Sequence, residues 1–175
     1  MCIRDRPKDE PYTPCLTNEQ ITNFMLRGRA ALLEKVKQTD RAHFDVTALP
    51  TMPQARKTRC LKGEYTLTEA DKNRHNDCSV GLACDFERPG DWYEIPWGCL
   101  YSAQSENILA AGRMISAGGW AWDATRVIPV CALTGQAAGI AAALIVKENR
   151  PAAQLSLKGL QNALERQQVC LHHDL

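Results

Sequence analysis

The feature that most limits what this chain can fold into is the apolar run from Pro129 to Val146, whose only hydroxyl and amide side chains are Thr134 and Gln136. Proline suits a first helical turn, where its missing N–H costs no hydrogen bond. A helix that is apolar on all faces is buried in a large core or in a bilayer. A bilayer span needs ~20 apolar residues, and this run is shorter and interrupted. The sequence therefore predicts a central, buried helix of an α/β body and no membrane span.

The charge balance argues against a nucleic-acid partner. The chain has 21 basic and 20 acidic side chains and a formal net charge of +1, which gives too weak a field to hold a phosphate backbone or an anionic membrane surface. Residues 1–14 are charged and proline-rich, without the apolar stretch of a secretory signal. A signal further upstream would not be visible, and on this sequence we expect a cytoplasmic protein.

The eight cysteines are spread along the chain and never form a Cys-x-x-Cys pair. Zinc sites usually contain close ligand pairs, so the sequence predicts no metal site. Small disulfide scaffolds are shorter and less apolar than this chain. We therefore expect reduced, mostly buried thiols. His75 falls in a polar loop, and His172 and His173 in a frayed tail, so none of the three is a predicted functional residue.

The rest of the pattern predicts short helices and strands around the apolar helix. Thr17 and Gln20 match a capping box before an amphipathic helix that fades near Lys37. A last helix runs from about Leu157 to Gln167, after Ser156 as a cap. The other predicted elements are strands at 59–65, 78–84 and 108–111, an extended stretch at 93–100, a capped turn at 68–71 and a turn at 89–91.

Residues 107–143 form the unit in which chemistry is expected. A predicted strand ends at a glycine, a loop follows, and the apolar helix then begins near Pro129. This order brings free backbone N–H groups together beside the positive end of a helix dipole. Such a place suits an anion or an electron-rich carbonyl. Cys131, near the start of the helix, has no cysteine close in sequence and is expected to be an inert thiol.

An ordered series of short motifs carries a family resemblance. The upstream motifs are Thr-Arg at 58–59, Gly-Glu-Tyr at 63–65, Asp77 and Tyr-Glu-Ile-Pro at 93–96; the downstream motifs are Ala-Gly-Arg-Met-Ile-Ser-Ala at 111–117, Thr-Arg-Val-Ile-Pro at 125–129 and Gly-Gln-Ala-Ala-Gly-Ile-Ala-Ala-Ala at 135–143. The series covers roughly residues 50–169 and resembles the closing part of FAD-dependent oxidoreductases of the glutathione-reductase type. Lys57 and Cys60 stand where that family's pattern has other residues.

The resemblance implies an α/β fold, the C-terminal part of a Rossmann-like FAD/NAD(P)-binding flavoprotein with part of a β-rich substrate-side domain. It implies FAD as cofactor and a small-molecule substrate. The helix N-terminus would stabilise negative charge at the N1 and C2 carbonyl edge of reduced flavin. The implied cofactor-binding residues are Gly112, Arg113, Ser116, Asp123, Thr125, Arg126, Val127, Ile128 and Gly135. Arg113 is either a phosphate contact or a surface ion pair, and no catalytic residue is implied.

Under the same resemblance, residues 1–16 are an unstructured or truncated segment and residues 17–100 part of the substrate-side domain. Residues 101–150 are the C-terminal part of the FAD-binding domain, and residues 151–175 a C-terminal helix and tail. The sequence has no Gly-x-Gly-x-x-Gly turn, which holds the dinucleotide diphosphate. We therefore expect a missing N-terminal FAD-binding half and no activity of this chain alone.

Three alternatives remain open at this stage. Trp120 and Trp122 lie in a loop that could border a substrate pocket, although tryptophans more often pack in a core. The whole chain could be a structural or partner-binding module without cofactor, in which the glycines serve only packing. A membrane protein anchored by the apolar helix is the third alternative, and solubility without detergent would exclude it.

Overall fold

The computed structural model describes residues 15–40, 42–43 and 56–173, which fall in two units of the chain, Met1–Thr58 and Arg59–Leu175. Residues 1–14 of the predicted N-terminal segment lie outside the described residues. In the first unit, helix α1 spans Asn18–Lys37, and none of its residues is buried. The predicted capping box is present: the Gln20 backbone N–H donates to Thr17 Oγ1 at 3.2 Å, and the Thr17 N–H donates to Gln20 Oε1 at 3.3 Å. This helix begins and ends as the sequence predicts.

An antiparallel hairpin lies in the second unit. Strand β1 (Ser79–Cys84) pairs with β2 (Trp92–Pro96), with Leu82 opposite Glu94 in the register. The turn between the strands contains Gly90 with a φ of +92°, a left-handed conformation that glycine adopts without strain. All five residues of β2 are buried. The hairpin confirms the predicted strand near 78–84, the turn at 89–91 and the extended stretch at 93–96.

Three helices follow the hairpin: α2 (Gly119–Thr125), α3 (Ile128–Glu148) and α4 (Leu157–Glu165). Helix α3 packs against β1 closely enough that a Cβ at Gly81 would lie 2.6 Å from the Leu133 side chain. The absence of a side chain at this glycine therefore sets the approach of the helix to the hairpin.

Helix α4 also packs against β1. Its cap is Ser156, whose hydroxyl accepts from the Gly159 N–H, as the sequence predicts. Leu160 and Leu164 are fully buried. The buried Gln161 amide donates to the carbonyl oxygens that flank the start of β1, those of Asp77 at 2.8 Å and Ser79 at 3.0 Å. A buried amide with both of these bonds carries little desolvation cost.

The segment after α4 is ordered against β1, so the predicted frayed tail is wrong. The Leu82 N–H donates to the Cys170 carbonyl at 2.9 Å, and the Ser79 hydroxyl donates to the Leu171 carbonyl at 2.6 Å. The His173 ring stacks on Trp92, with ring centroids 4.9 Å apart. A sequence pattern does not reveal this docking, because its partners lie far away along the chain.

The predicted strands at 59–65 and 108–111 are also wrong. The described residues there form only isolated bridges, and the extended stretch gives way to a 3₁₀ turn at Trp97–Cys99. Three amides in and just after the first segment donate alternately to two different segments: Leu61 to Met114, Tyr65 to Gly98 and Leu67 to Ser116. Because no single neighbouring strand accepts them in series, a regular ladder cannot form.

The described part of the chain therefore contains four α-helices and a two-stranded antiparallel sheet. This mixed helix and strand architecture agrees with the predicted α/β class at that level. The core lies between the hairpin, α3 and α4. Its largest fully buried side chains are Tyr93, Leu67, Ile95, Leu100, Ile115, Leu160 and Leu164.

Helix α3 is not buried on all faces, which corrects the prediction from its composition. Its buried residues are Val130, Thr134, Ala137 and Ala141. Ile128 and Val146, near its two ends, are 85% and 80% exposed. By length and composition alone, this 21-residue helix could cross a membrane. The prediction assumed that every apolar face of the helix is buried, whereas the described residues cover only one side of it.

The thiols also differ from expectation. All seven described cysteines are free. Only Cys15 and Cys99 are buried, Cys131 is intermediate and the other four are exposed. The prediction of mostly buried thiols is wrong, because several cysteines lie at hairpin ends and in loops rather than on apolar faces.

Candidate functional site

The N-terminus of α3 is open. Its N-cap residue is Val127, which has an extended backbone and no side-chain hydroxyl or carboxylate to cap the helix. Pro129 occupies the first turn. The first N–H groups of any α-helix have no intrahelical acceptor, and they point away from the helix with the positive end of its dipole. Ile128, in this first turn, is 85% exposed, so the start of the helix lies at the surface of the described chain.

A glycine turn is fixed against this end of α3. Gly112 begins a 3₁₀ turn, and its N–H donates to the buried Thr134 hydroxyl at 2.8 Å. That hydroxyl in turn donates to the Val130 carbonyl at 2.8 Å. Gly112 has a φ of +64°, and a Cβ there would lie 3.3 Å from Cys131 Sγ. Both the left-handed backbone and the close helix require glycine at this position.

Helix α2 connects the glycine turn to α3 and contains a local ion pair. Arg126 donates to Asp123 Oδ1 through Nη2 at 2.8 Å and through Nε at 2.9 Å. Thr125 is fully buried, and its hydroxyl donates to the Ala121 carbonyl. The side chains of these three predicted cofactor residues are therefore engaged within the chain, and their backbone groups remain as the means of contact.

Arg113 and Ser116 have opposite environments although both are predicted cofactor residues. Arg113 is exposed, and its carbonyl accepts from the Trp122 indole at 2.8 Å. Ser116 is 1% exposed, and its hydroxyl lies 2.9 Å from the Thr66 hydroxyl. The arginine side chain can reach a ligand outside the fold, whereas the serine holds two loops together. The predicted roles of the whole set remain predictions.

The outer side of α3 has no described neighbour close to its glycines. A Cβ added at Gly135 or at Gly139 would meet nothing within 4 Å. The exposed residues recur at helical spacing and form one surface, here named the outer face of α3: Ile128, Ala132, Gly135, Gln136, Gly139, Ala142, Ala143 and Val146. This surface is apolar apart from one amide, and its small residues permit close approach of another backbone.

Aromatic and charged groups gather around α2. Trp120 donates its indole N–H to Asp85, and the Arg88 guanidinium lies 4.6 Å from the centre of the Trp120 ring. Burial raises the pKa of Asp85, but the Trp120 bond and the N–H groups of Glu87 and Arg88 outweigh it and hold that pKa below its ordinary value. Trp120 is partly exposed, so it is neither a core residue nor a freely available stacking surface.

A separate cleft lies in the same unit. It is lined by Glu64, Tyr101, residues 102–106, Pro151, Ala153 and Gln154. None of the predicted cofactor residues lines it. Of those residues, Gly112 is held against α3 through Thr134, and Val127 and Ile128 stand at the start of that helix. Ser116 and Thr125 are buried, and Gly135 lies further along the outer face of α3.

Sequence reasoning missed one polar cluster. His75, Glu94 and His172 come together at the hairpin, with their potential ligand atoms within 4.8 Å of one another. Neither histidine has a ligand-type residue at a characteristic spacing, and the C-terminal segment was expected to be frayed. No signal in the sequence pattern marks this cluster.

An uncapped helix N-terminus beside a fixed glycine turn is an arrangement that can bind the oxygen atoms of an anion or a carbonyl group. A protein-family model described as FAD dependent oxidoreductase matches residues 12–164. No curated protein and no solved structure matches the chain. The chain belongs to the FAD dependent oxidoreductase family, which makes it a flavoprotein oxidoreductase with FAD as its cofactor.

Proposed function

We propose that this chain forms the flavin-ring and ribityl side of the FAD site in a cytoplasmic oxidoreductase of the glutathione-reductase type. When bound, FAD supplies hydride-transfer chemistry with a small organic substrate. The chain's own contribution is to bind and orient the cofactor, and to place fixed dipoles where negative charge develops.

The observation that carries this proposal is the hydrogen bond from the Gly112 N–H to Thr134 Oγ1. It holds the glycine turn against the first two turns of α3, next to backbone N–H groups that no side chain caps. The arrangement fits a cofactor with anionic and carbonyl oxygens, because no side chain at Gly112 obstructs the approach. Its donors are fixed before binding, so little reorganisation is required.

The residues around this turn would act in different ways. The amides at Val127 and Ile128 and the α3 dipole would stabilise negative charge on the ring. Arg113, exposed beside the turn, would pair with a phosphate oxygen. The Arg126 charge is balanced by Asp123, so its contribution would come through its backbone.

The diphosphate side of the site would come from a further polypeptide segment of the Rossmann type. Two observations support this. The sequence contains no Gly-x-Gly-x-x-Gly turn, and the outer face of α3 is an apolar surface whose glycines have no described neighbour. We propose that this further segment packs on the outer face and completes the cofactor site. By itself, the chain would bind FAD weakly and have no oxidoreductase activity.

The test is an FAD titration followed by flavin fluorescence, on two preparations. One is the chain alone, and the other is the chain co-expressed with the dinucleotide-binding half of a family member. Tight flavin binding only in the second preparation supports the proposal. A folded complex that binds no flavin contradicts it and favours a structural module without cofactor.

A matched pair of variants locates the site. Gly112→Ala places a Cβ at a left-handed φ, which costs about 1–2 kcal/mol, and directs it toward α3; we expect FAD affinity of the complex to fall about tenfold or more. Gly90→Ala introduces a similar left-handed strain in the hairpin turn, where nothing lies within 4 Å. The control should lose stability but keep its affinity for FAD. Equal affinity in both variants would exclude the glycine turn from the site.

A further inference from the structure

Three chemistry-bearing side chains from distant parts of the sequence meet at the hairpin. His75 lies in the loop before β1, Glu94 in the middle of β2, and His172 in the segment after α4. The Glu94 Oε2 atom is 2.9 Å from His172 Nδ1 and 3.3 Å from His75 Nδ1. The two imidazole rings are tilted by 43°, with centroids 4.6 Å apart. One carboxylate oxygen therefore faces a nitrogen of each ring.

Glu94 is held by backbone hydrogen bonds at the centre of this group. Its side chain is completely buried. Oε2 accepts the Asn76 N–H at 2.8 Å, and Oε1 accepts the His173 N–H at 3.1 Å. A buried carboxylate needs a cation nearby to offset its desolvation.

The hydrogen bonds of His75 restrict where its protons can be. Its Nε2 lies 3.1 Å from Asp77 Oδ1, and because an ionised carboxylate only accepts, Nε2 carries the hydrogen. In the neutral ring, Nδ1 then directs a lone pair toward Glu94 Oε2. Two lone pairs at this distance repel each other unless a cation lies between them, either a proton on the ring or a metal ion.

We propose that His75, Glu94 and His172 form a binding site for a divalent transition-metal ion, with zinc as the preferred ion. Imidazole and carboxylate are the ligand types that zinc takes in proteins, with bond lengths of about 2.0–2.2 Å. Tetrahedral bonds of that length place neighbouring ligand atoms roughly 3.4 Å apart. Glu94 Oε2 lies 2.9 and 3.3 Å from the two imidazole nitrogens, and all three ligand atoms lie within 4.8 Å of one another, so small side-chain shifts would admit the ion. Two of the ligand side chains are partly exposed, at 55% and 33%, which leaves a coordination position for solvent.

The surrounding contacts show how a bound ion would be held in the fold. The Asp77 bond to His75 Nε2 is the outer-shell arrangement that orients metal-binding imidazoles. Asp77 itself is 97% exposed, so solvent can replace it and its effect on affinity will be small. An ion on these three ligands would join the loop before β1, the strand β2 and the C-terminal segment. Binding to the folded state alone then stabilises the fold by an amount that rises with the logarithm of the ion concentration once that concentration exceeds Kd.

The experiment is zinc titration by calorimetry on the full chain, after removal of metal with a chelator. We expect one ion per chain and an unfolding temperature that rises with zinc concentration. His75→Gln removes a half-exposed ligand with little risk to folding, and affinity should fall by more than about 100-fold, beyond the effect of losing an outer-shell partner. His43→Gln is the matched control, because His43 lies in a separate unit and, among the described residues, its ring pairs with the exposed Asp40. The zinc affinity of this variant should be unchanged.

Cobalt distinguishes this site from binding at thiols. Ligation by nitrogen and oxygen gives visible ligand-field bands without the thiolate charge-transfer band that cysteine ligands produce. The proposal is overturned by a charge-transfer band that survives in His75→Gln. It is also overturned if the wild-type chain binds no zinc at millimolar concentration, in which case protons alone lie between the rings and Glu94. Flavin binding does not enter either measurement, so this test and the FAD titration can fail independently.

Discussion

Two regions of the second unit, the hairpin around Glu94 and the start of α3, satisfy their polar and apolar groups in opposite ways. Around Glu94, a buried carboxylate accepts two backbone N–H bonds and faces two imidazoles. At the start of α3, the helix has no side-chain cap, and its outer face is apolar and exposed. Within the described residues, the hairpin region pairs its buried carboxylate internally, and only the Tyr93 hydroxyl is buried there without a hydrogen-bond partner. The start of α3 instead presents uncapped N–H groups and an apolar surface. The difference separates a region that maintains the fold from the region that we propose to bind the cofactor.

The largest expected effect tests whether the core between the hairpin, α3 and α4 provides most of the stability of the unit. Leu160→Ala removes a fully buried side chain of α4 and should lower the free energy of unfolding by about 2–5 kcal/mol. Val146→Ala removes a side chain that is 80% exposed, so its effect should stay within about 0.5 kcal/mol. Denaturant unfolding of both variants measures the contrast. Equal losses would mean that α3 is covered as fully as α4.

A smaller expected effect is a pH-dependent contribution of Asp85 to the free energy of unfolding. Its pKa is lowered in the folded chain, so its stabilisation is present above the unfolded value of about 3.9 and is lost as pH falls through the folded pKa. Asp85→Asn weakens bonds to a charged acceptor and should cost about 1 kcal/mol at neutral pH. Unfolding measured from neutral pH down to about pH 2 should show the difference from wild type disappearing. A constant difference would contradict the role of the charge.

The smallest expected effect is that of Gly139→Ala, which should raise the stability of the isolated chain but weaken its association with a partner segment. Gly139→Ala lies in the interior of α3, on its outer face, with nothing within 4 Å of the new Cβ. Alanine should stabilise the isolated chain by about 0.5–1 kcal/mol, because glycine is a poor helix former. The same Cβ should weaken association with a backbone that packs closely on that face. Unfolding and co-purification with the completing segment measure the two effects, and unchanged association would place the partner elsewhere.

Local signals in the sequence predicted much of the fold. The Thr17 and Gln20 capping box predicted the start of α1, the turn around Gly90 predicted the hairpin, and Ser156 predicted the start of α4. Each of these signals acts between residues a few positions apart, so it can be read without knowing the rest of the structure. The family followed from an ordered series of motifs, and the family model confirms it at the level of FAD-dependent oxidoreductases.

What the sequence could not provide depends on distant contacts. The composition of α3 predicted an apolar helix. Apolar composition does not determine which polypeptide covers a surface, and the outer face of α3 is exposed in the described chain. The segment near Leu61 has strand-like residues, yet its amides bond to separate loops. The Glu94 cluster requires the hairpin register and the docking of the C-terminal segment together. The cofactor roles of the glycine turn residues remain predictions for the same reason, since they depend on groups outside the described fold.

The docking of Cys170 and Leu171 on β1 has a consequence for solubility. A two-stranded hairpin has two edges, and an exposed edge is a template for pairing with the edge of another molecule. Here the C-terminal segment occupies hydrogen-bonding groups of β1 at Leu82 and Ser79. The segment thereby makes this edge of β1 less available for pairing with another molecule. Fusion tags and truncations are thus safer at the N-terminal side of this unit than beyond Gln168.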